Sequence, residues 1–181
     1  MNFYSSLEQS DIFILPAPKE ATHSNDVHYR YRTSSDFLYL TGWIEPEAVL
    51  VARFDNSMKK WLTILFVQPK NTLMEIWEGR RPGVQGALEH FPIDKAYSIE
   101  ELNSKLNEYL SYSKRVLLRT GVIDEIDDIV TKAIQKRDRN RQHFGTGPIS
   151  TVDPSPLLAD FASSKVQAKY LRCGMLHRFQ V

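Results

Sequence analysis

The segment Tyr31–Phe54, YRTSSDFLYLTGWIEPEAVLVARF, contains the strongest structural signals in the sequence. The range Ser34–Thr41 suits a short helix, because a serine can cap its start and Gly42 can end it in a left-handed conformation. Pro46 keeps the preceding glutamate out of the helical region, so we expect the chain to turn there. The apolar run Ala48–Phe54 then has the length of a buried strand. The segment therefore predicts a helix, a turn and a strand, and it leaves open whether its aromatic side chains form core or a contact surface.

Outward from this segment, predicted strands alternate with predicted helices. One helix is predicted at about 99–112, where a capping box lets the Ser98 hydroxyl accept from the Glu101 amide. A second runs from Ile123 to about Arg139, with acidic residues at its start and basic residues at its end. This alternation predicts an α/β fold with a mixed β-sheet flanked by helices, since the second and third strands form a hairpin. The predicted strands are Asp11–Ala17, Ala48–Phe54, Trp61–Val67, Lys95–Tyr97 and Arg115–Arg119.

Four other segments give weaker signals. Pro18–Arg32 is polar and is predicted to be a loop. Thr72 is a candidate cap for a short helix through Trp77, and Pro82–His90 predicts a helix weakened by its glycines. Pro148–Pro156 is predicted to be extended.

Composition and charge restrict the class of protein. The chain has 181 residues, of which 42% are hydrophobic and 25% charged, as in a single globular domain. Its formal net charge of +1 gives no overall field that would attract nucleic acid or an anionic membrane. The one cysteine, Cys173, excludes an internal disulfide, and the N-terminal residues lack the pattern of a signal peptide. Since no apolar run approaches about 18 residues, we expect a cytoplasmic protein with no membrane or nucleic-acid partner.

The sequence contains no recognisable catalytic residue or metal-ligand pattern. The five histidines do not have the spacing of a zinc site, and no G-x-S-x-G motif is present. His23 and His28 share a loop with Asp26, where a weak surface metal site is the alternative to ordinary loop residues, the interpretation we prefer. The basic run Lys136–Arg141 ends a helix whose other end is acidic, and it lacks aromatic residues on which bases could stack. We expect no cofactor in this chain.

The segment Glu75–Gly83, EIWEGRRPG, has the composition of a protein contact site. It places Trp77 close to Arg80 and Arg81 on a short element bounded by glycines. Tryptophan and arginine are enriched at the centres of protein interfaces. The other interpretation makes Trp77 a core residue and the arginines solvated helix ends, and composition alone does not decide between them.

The segments 31–54 and 75–83, in this order, resemble the N-terminal domain of Xaa-Pro aminopeptidases (aminopeptidase P). The resemblance runs from about Ile12 to Lys165, and its middle matches by pattern more than by identity. The Glu-Pro turn is shared with prolidases and creatinases, whereas the E-I-W-x-G-x-R element favours the aminopeptidases. The residues that carry the resemblance are Tyr31-Arg32, Ser35-Asp36-Phe37, Tyr39, Thr41-Gly42, Glu45-Pro46-Glu47-Ala48-Val49-Leu50, Glu75-Ile76-Trp77, Gly79-Arg80-Arg81 and Gly83.

The resemblance implies roles for two sets of residues. In such proteins the first segment is structural: its aromatic residues pack a helical turn beside the sheet, and the Glu-Pro turn starts the next strand. The matching tryptophan of the second segment reaches towards the active site of a neighbouring subunit and helps to shape its entrance. The implied structural residues are Asp36, Tyr39, Gly42, Glu45 and Pro46, and the implied substrate-entrance and intersubunit residues are Trp77, Arg80 and Arg81.

The sequence departs from the family where the catalytic domain would follow. Family members continue into a metallopeptidase domain in which two Asp, one His and two Glu hold two divalent metal ions, usually manganese. Such a pair of ions generates a hydroxide nucleophile at neutral pH. This sequence stops near the expected start of that domain, so none of its ligands can be carried over. The expected organisation is an N-terminal domain at 1–156 and a connecting segment at 157–181, with two Mn²⁺ ions in the missing domain.

Two functions follow from the resemblance. In the first, the chain is the oligomerising and substrate-entrance domain of an Xaa-Pro aminopeptidase, inactive alone, with peptide substrate reaching it only through the missing domain. In the second, it is a stand-alone interaction module that binds a full-length aminopeptidase P and caps its active site. A complete enzyme with a novel site would need a polar cluster that the sequence does not offer. A truncated gene, a frameshift or a deliberately shortened protein would account equally well for the length.

Overall fold

The computed structural model describes residues 3–20, 22–24, 27–70, 81–139 and 147–163. It contains a six-stranded sheet with helices on both faces and a separate pair of short strands. The strands are β1 Asp11–Pro16, β2 Thr22–Ser24, β3 Val27–His28, β4 Val49–Asp55, β5 Lys60–Val67, β6 Lys95–Ser98, β7 Arg115–Leu118 and β8 Ser150–Val152. The helices are α1 Ser35–Thr41, α2 Gly83–His90, α3 Leu102–Ser111, α4 Asp124–Arg139 and α5 at 155–163, with short 3₁₀ helices at Phe3–Ser6 and Ile99–Glu101.

The six-stranded sheet is mixed, as the sequence predicts. Its order is β6-β5-β4-β1-β7-β8. The hairpin β4–β5 and the pair β1–β4 are antiparallel, whereas β5–β6, β1–β7 and β7–β8 are parallel. β1 lies between β4 and β7, and every one of its residues is buried, which explains its continuous run of apolar side chains. The α/β fold class inferred from the sequence is confirmed.

Alternating residues of the strands belong to two hydrophobic cores, one on each face of the sheet. The first face packs against α1, α2, α5 and the N-terminal 3₁₀ helix, and the second against α3 and α4. The strands contribute Phe13, Leu15, Leu50, Ala52, Leu65, Val67 and Leu117 to the first core, and Ile12, Ile14, Val49, Val51, Leu62, Ile64, Phe66, Val116 and Leu118 to the second. Both predicted long helices therefore lie on the second face, opposite α1.

An ion pair fastens β1 to β7 at the start of both strands. The Asp11 side chain is fully buried, and its Oδ1 and Oδ2 accept hydrogen bonds from Arg115 Nε at 2.9 Å and Nη2 at 2.7 Å. Asp11 Oδ2 also accepts from the backbone amide of Glu8 at 2.9 Å. This bidentate arrangement is stronger than a single charge-assisted hydrogen bond, so it helps to fix the register of two strands that are far apart in sequence.

Three local expectations need correction. The Ser98 hydroxyl accepts from the Glu100 amide at 3.3 Å rather than from that of Glu101, because the chain enters α3 through a 3₁₀ turn. The predicted loop Pro18–Arg32 contains the antiparallel pair β2–β3. The extended segment after Pro148 forms β8, but α5 already begins at residue 155.

Two further expectations concern the ends of the described ranges. The short helix predicted from Thr72 to Trp77 lies outside the described residues. The boundary after residue 156 stays a prediction; in the segment beyond it, Leu158 is buried in the first core. None of the helices in the described ranges combines the length and apolar character needed to cross a bilayer.

Candidate functional site

The helix α1 is held at both ends by interactions that its sequence specifies. The Ser34 hydroxyl accepts from the Phe37 amide at 3.2 Å and caps the N-terminus. At the other end Gly42 has a φ of 73° and donates its amide to the Leu38 carbonyl at 2.7 Å. The Thr41 hydroxyl donates to the Phe37 carbonyl at 2.7 Å and accepts from the Trp43 amide at 3.0 Å. These bonds fix the direction in which the chain leaves the helix.

The aromatic and apolar residues of this stretch divide between core and surface. Phe37 and Trp43 are buried in the first core, and the Trp43 ring lies 4.9 Å from that of Phe91. By contrast, Leu38, Tyr39 and Ile44 are 43%, 54% and 66% exposed. The Tyr39 ring packs edge-on against Phe161 of α5, with the ring centroids 5.6 Å apart. The core and contact-surface interpretations therefore each hold for part of the segment.

The Glu-Pro turn lies near Arg81, which belongs to the last part of the second motif. Burial raises the pKa of the Glu45 carboxyl, and the positive charge of Arg81 opposes that rise in pKa. Arg81 Nη1 also donates a hydrogen bond to Gln68 Oε1, just after β5. The Arg81 guanidinium thus links Gln68, which follows β5, with the segment that leads into α2. The same guanidinium, from the second motif, lies near enough to Glu45, from the first, for its charge to act on the pKa of that carboxyl.

A polar network joins α1 to α5 on the same face of the sheet. Asp36 forms an ion pair of 3.9 Å with Arg119, which follows β7. Arg119 Nε donates to the Ser155 hydroxyl at 3.1 Å, and that hydroxyl donates to Asp153 Oδ1 at 2.6 Å. Hydrogen bonds from the Ser155 hydroxyl and amide lower the pKa of the Asp153 carboxyl. Asp36 therefore helps to hold the start of the last described helix.

The residues assigned to the substrate entrance are only partly described. Trp77 and Arg80 lie outside the described residues. Arg81 is described: it donates a hydrogen bond to Gln68, and its charge acts on the pKa of the Glu45 carboxyl. Gln68 was missed at the level of sequence, because no periodicity or motif pairs it with an arginine 13 positions later. Within the described ranges no three His, Cys, Asp or Glu side chains come together in a way that suits a metal ion.

The sequence matches a known family over most of its length. The family described as aminopeptidase P, N-terminal domain, matches residues 1–118. The chain is 35% identical over 169 residues to the Xaa-Pro aminopeptidase of Escherichia coli K12, which covers 91% of this chain and 38% of that protein. It is also 35% identical over 107 residues to the Xaa-Pro aminopeptidase of Haemophilus influenzae, which covers 59% of this chain and 24% of that one.

Solved structures agree with this match. The low-pH form of aminopeptidase P from E. coli superimposes with a TM-score of 0.76 at 31% identity, covering 86% of this chain and 35% of that chain. Proline aminopeptidase P II from Yersinia pestis gives a TM-score of 0.75 at 32% identity, covering 86% and 36%. The fold and the paired motifs define an N-terminal domain of the aminopeptidase type. The chain belongs to the aminopeptidase P N-terminal domain family, and it spans less than two-fifths of the length of these relatives.

Proposed function

We propose that this chain serves as the oligomerising and substrate-entrance domain of an Xaa-Pro aminopeptidase and that it does not cleave peptides by itself. The observation that supports the proposal is the position of Arg81, a residue of the second motif, which donates a hydrogen bond to Gln68 and lies close enough to Glu45 of the first motif to influence its pKa. A motif that is held at one fixed point can present the residues next to it in a reproducible position.

The proposed entrance residues are Trp77, Arg80 and Arg81. Arg81 is anchored, and the other two precede it in sequence by four residues and by one. In the proposal, Trp77 packs over the mouth of a neighbouring subunit's active site, and the arginines face the carboxylates or carbonyls of the bound peptide. Aromatic and arginine side chains suit this task, because they combine a large contact area with fixed hydrogen-bond donors.

Peptide-bond cleavage is assigned to a metallopeptidase domain beyond the matched region. In the proposal that domain binds two Mn²⁺ ions, which activate a water molecule and polarise the scissile carbonyl. This chain supplies no ligand to those ions and works by shaping access to them in an oligomer. The proposed compartment is the cytoplasm.

The experiment is a chimera in which this chain replaces the matching N-terminal part of the E. coli Xaa-Pro aminopeptidase. With Mn²⁺ the chimera should release the N-terminal residue from Xaa-Pro peptides, whereas the purified 181-residue chain should not, with or without the metal. In the chimera, Trp77→Ala should lower kcat/KM by about tenfold or more, because substrate positioning is lost.

The matched control is Met58→Ala, since Met58 is 59% exposed on the β4–β5 turn and lies outside both motif segments in the sequence. It should leave kcat/KM unchanged. Full activity in the Trp77→Ala chimera would contradict the entrance role. Cleavage by the purified chain, measured against a blank from a host lacking its own aminopeptidase P, would contradict the assignment of catalysis to another domain.

The alternative proposal is a separate module that binds a full-length aminopeptidase P. The exposed apolar residues of the α1 region favour some protein contact. Gel filtration of the chain mixed with the intact E. coli enzyme distinguishes the two proposals. A stable mixed complex is expected only for the module.

A further inference from the structure

A polar cleft of about 280 Å³ opens at the end of the sheet where β1 begins and β4 ends. Its walls are residues 9–11, residues 53–57 of β4 and the turn after it, and residues 108, 109, 112 and 113 at the end of α3. We call it the β4 cleft. None of the described residues that carry the family resemblance lines it. Sites for drug-sized ligands usually measure about 300–1,000 Å³, so this cleft suits a smaller molecule.

Arg53 brings a positive charge to the wall of the β4 cleft. Its guanidinium lies over the Tyr109 ring, 4.9 Å from the ring centre, and its side chain is only 26% exposed. Among the described residues this side chain makes no hydrogen bond, and its ion pair with Asp55 Oδ2 is long, at 3.9 Å. A guanidinium has five N–H donors in a fixed plane. The stacked ring holds that plane in place and leaves the donors available to a ligand.

The groups in contact with Arg53 do not supply a hydrogen-bonded counterion. Burial raises the pKa of the Tyr109 hydroxyl to about 12, so the ring beneath the guanidinium is neutral at physiological pH. Asp55 Oδ1 accepts from the amides of Ser57 and Met58 at 2.8 and 3.0 Å, and these bonds lower the pKa of the Asp55 carboxyl. The turn therefore holds this carboxylate. A ligand carboxylate can supply the bidentate partner that Arg53 lacks among the described residues.

Negative charge on the wall formed by α3 restricts the ligand further. Glu108 is more than half exposed, and its ion pair with Lys105 is long, at 3.9 Å. Its carboxylate is therefore available to a positively charged group, whereas a plain anion in the cleft would be repelled by Glu108 and Asp55. Tyr112 also lines the cleft and is 79% exposed, so its ring is available to an apolar side chain. These walls match a molecule that carries both a carboxylate and an ammonium group.

We propose that the β4 cleft binds a small zwitterion, a free amino acid or a dipeptide, with its carboxylate on Arg53 and its ammonium group facing Glu108. Tyr112 contacts the apolar side chain of the ligand. The assignment goes beyond the proposed function and does not depend on it, because the cleft is formed by β1, β4 and α3 of this chain alone.

The test is a ligand titration of the 181-residue chain followed by NMR. The probes are L-leucine and glycyl-L-leucine, which carry both charges, and two analogues that carry only one. N-acetyl-L-leucine lacks the ammonium group, and L-leucinamide lacks the carboxylate. The backbone amide signals of Asn56, Ser57 and Tyr112 report on the cleft, and that of Gly121, which is outside it, reports on non-specific effects.

L-leucine or glycyl-L-leucine should shift the three cleft signals in a saturable way and leave Gly121 unchanged. Each analogue should bind about tenfold more weakly or worse, because one charge-assisted interaction is lost. The tighter of the two zwitterions then identifies the ligand as a free amino acid or a dipeptide. Cleft signals that do not move would overturn the proposal. Equal binding of N-acetyl-L-leucine would also overturn it, since the site would then take a plain carboxylate.

Two variants assign the charges to their residues. Arg53→Gln should weaken L-leucine binding by about tenfold or more, whereas Arg119→Gln, an arginine outside the cleft, should not. Glu108→Gln should make L-leucine and N-acetyl-L-leucine bind equally, because the ammonium group has lost its partner. Glu108 is on the surface, so this variant and the analogue series decide the question even if Arg53→Gln fails to fold. Unchanged binding in a folded Arg53→Gln or in Glu108→Gln would contradict the proposed orientation.

Discussion

Glu45, in the first motif, has a carboxyl whose pKa depends on Arg81 in the second motif. Burial raises the pKa of its carboxyl, and the charge of Arg81 acts in the opposite direction. Arg81 therefore makes it easier for a partly buried carboxylate to remain ionised. This electrostatic link gives a way to detect the proximity of Arg81 and Glu45 in solution.

Arg81→Gln should raise the pKa of the Glu45 carboxyl above its value in the parent protein. NMR titration of the Glu45 side chain measures the change directly. The stability of the variant relative to the parent should fall as the pH rises through the Glu45 pKa, because the native state then holds a proton that the unfolded state has released. Arg119→Gln is the matched control, since Arg119 pairs with Asp36 and not with Glu45. An unchanged Glu45 pKa in Arg81→Gln would show that the two side chains do not interact.

At the scale of the elements, α1 requires a left-handed residue with a close neighbour at its C-terminus. Gly42 has a φ of 73°, and a Cβ added there would lie 3.3 Å from Cδ1 of Phe91. Gly121 also has a positive φ, 81°, but a Cβ there would meet nothing within 4 Å. The two glycines therefore separate the strain of a left-handed backbone from the effect of a close neighbour.

Gly42→Ala should lower the free energy of unfolding by about 1–2 kcal/mol for the left-handed conformation, with an added loss from the Phe91 contact. Gly121→Ala should show only the backbone part. Urea unfolding of both variants under the same conditions measures the difference. Equal losses would mean that the Phe91 side chain moves aside without lowering the free energy of unfolding. Only the backbone conformation would then matter at position 42.

The elements also show what sequence reasoning can and cannot reach. The limits of α1 were predictable, because Ser34 and Gly42 act on backbone groups only a few residues away. β2 and β3 were not, since strands of three and two residues carry no readable alternation. At Ser98 the capping residue was predicted correctly but the amide that donates to it was not, because the sequence does not distinguish a 3₁₀ start from an α start.

The candidate site was predictable in its motifs but not in its contacts. The sequence marks Arg81 as a candidate contact residue. Its hydrogen bond to Gln68 and its charge effect on Glu45 depend on the tertiary fold, which brings the start of α2 back to the sheet. The division of the aromatic stretch into inward Phe37 and outward Leu38 follows from the rotation of a helix. Which side faces the core is decided by the whole sheet, so the sequence left core and contact surface as alternatives.

At the scale of the molecule, the proposed role predicts that Trp77 is not a core residue. Trp77→Ala should cost less than the roughly 3–5 kcal/mol typical of a fully buried aromatic, because the proposed role places its contacts with another subunit. The chain has three tryptophans, so variants that keep only Trp77 or only the buried Trp43 can be compared by acrylamide quenching. Strong quenching is expected for Trp77 and weak quenching for Trp43. Equal weak quenching, or unfolding by Trp77→Ala, would place Trp77 in the core.

The central position of β1 has a consequence for how the protein is made. This strand leaves the ribosome well before β7, because Asp11 pairs with Arg115, 104 positions later. At about 5–20 residues per second, one edge of a strand that is apolar from Ile12 onwards waits roughly 5 to 20 s for its parallel neighbour β7. The hairpin β4–β5 can form earlier and shield the other edge. The nascent chain is thus most exposed to misassembly and most dependent on chaperones in the interval before residue 118 emerges.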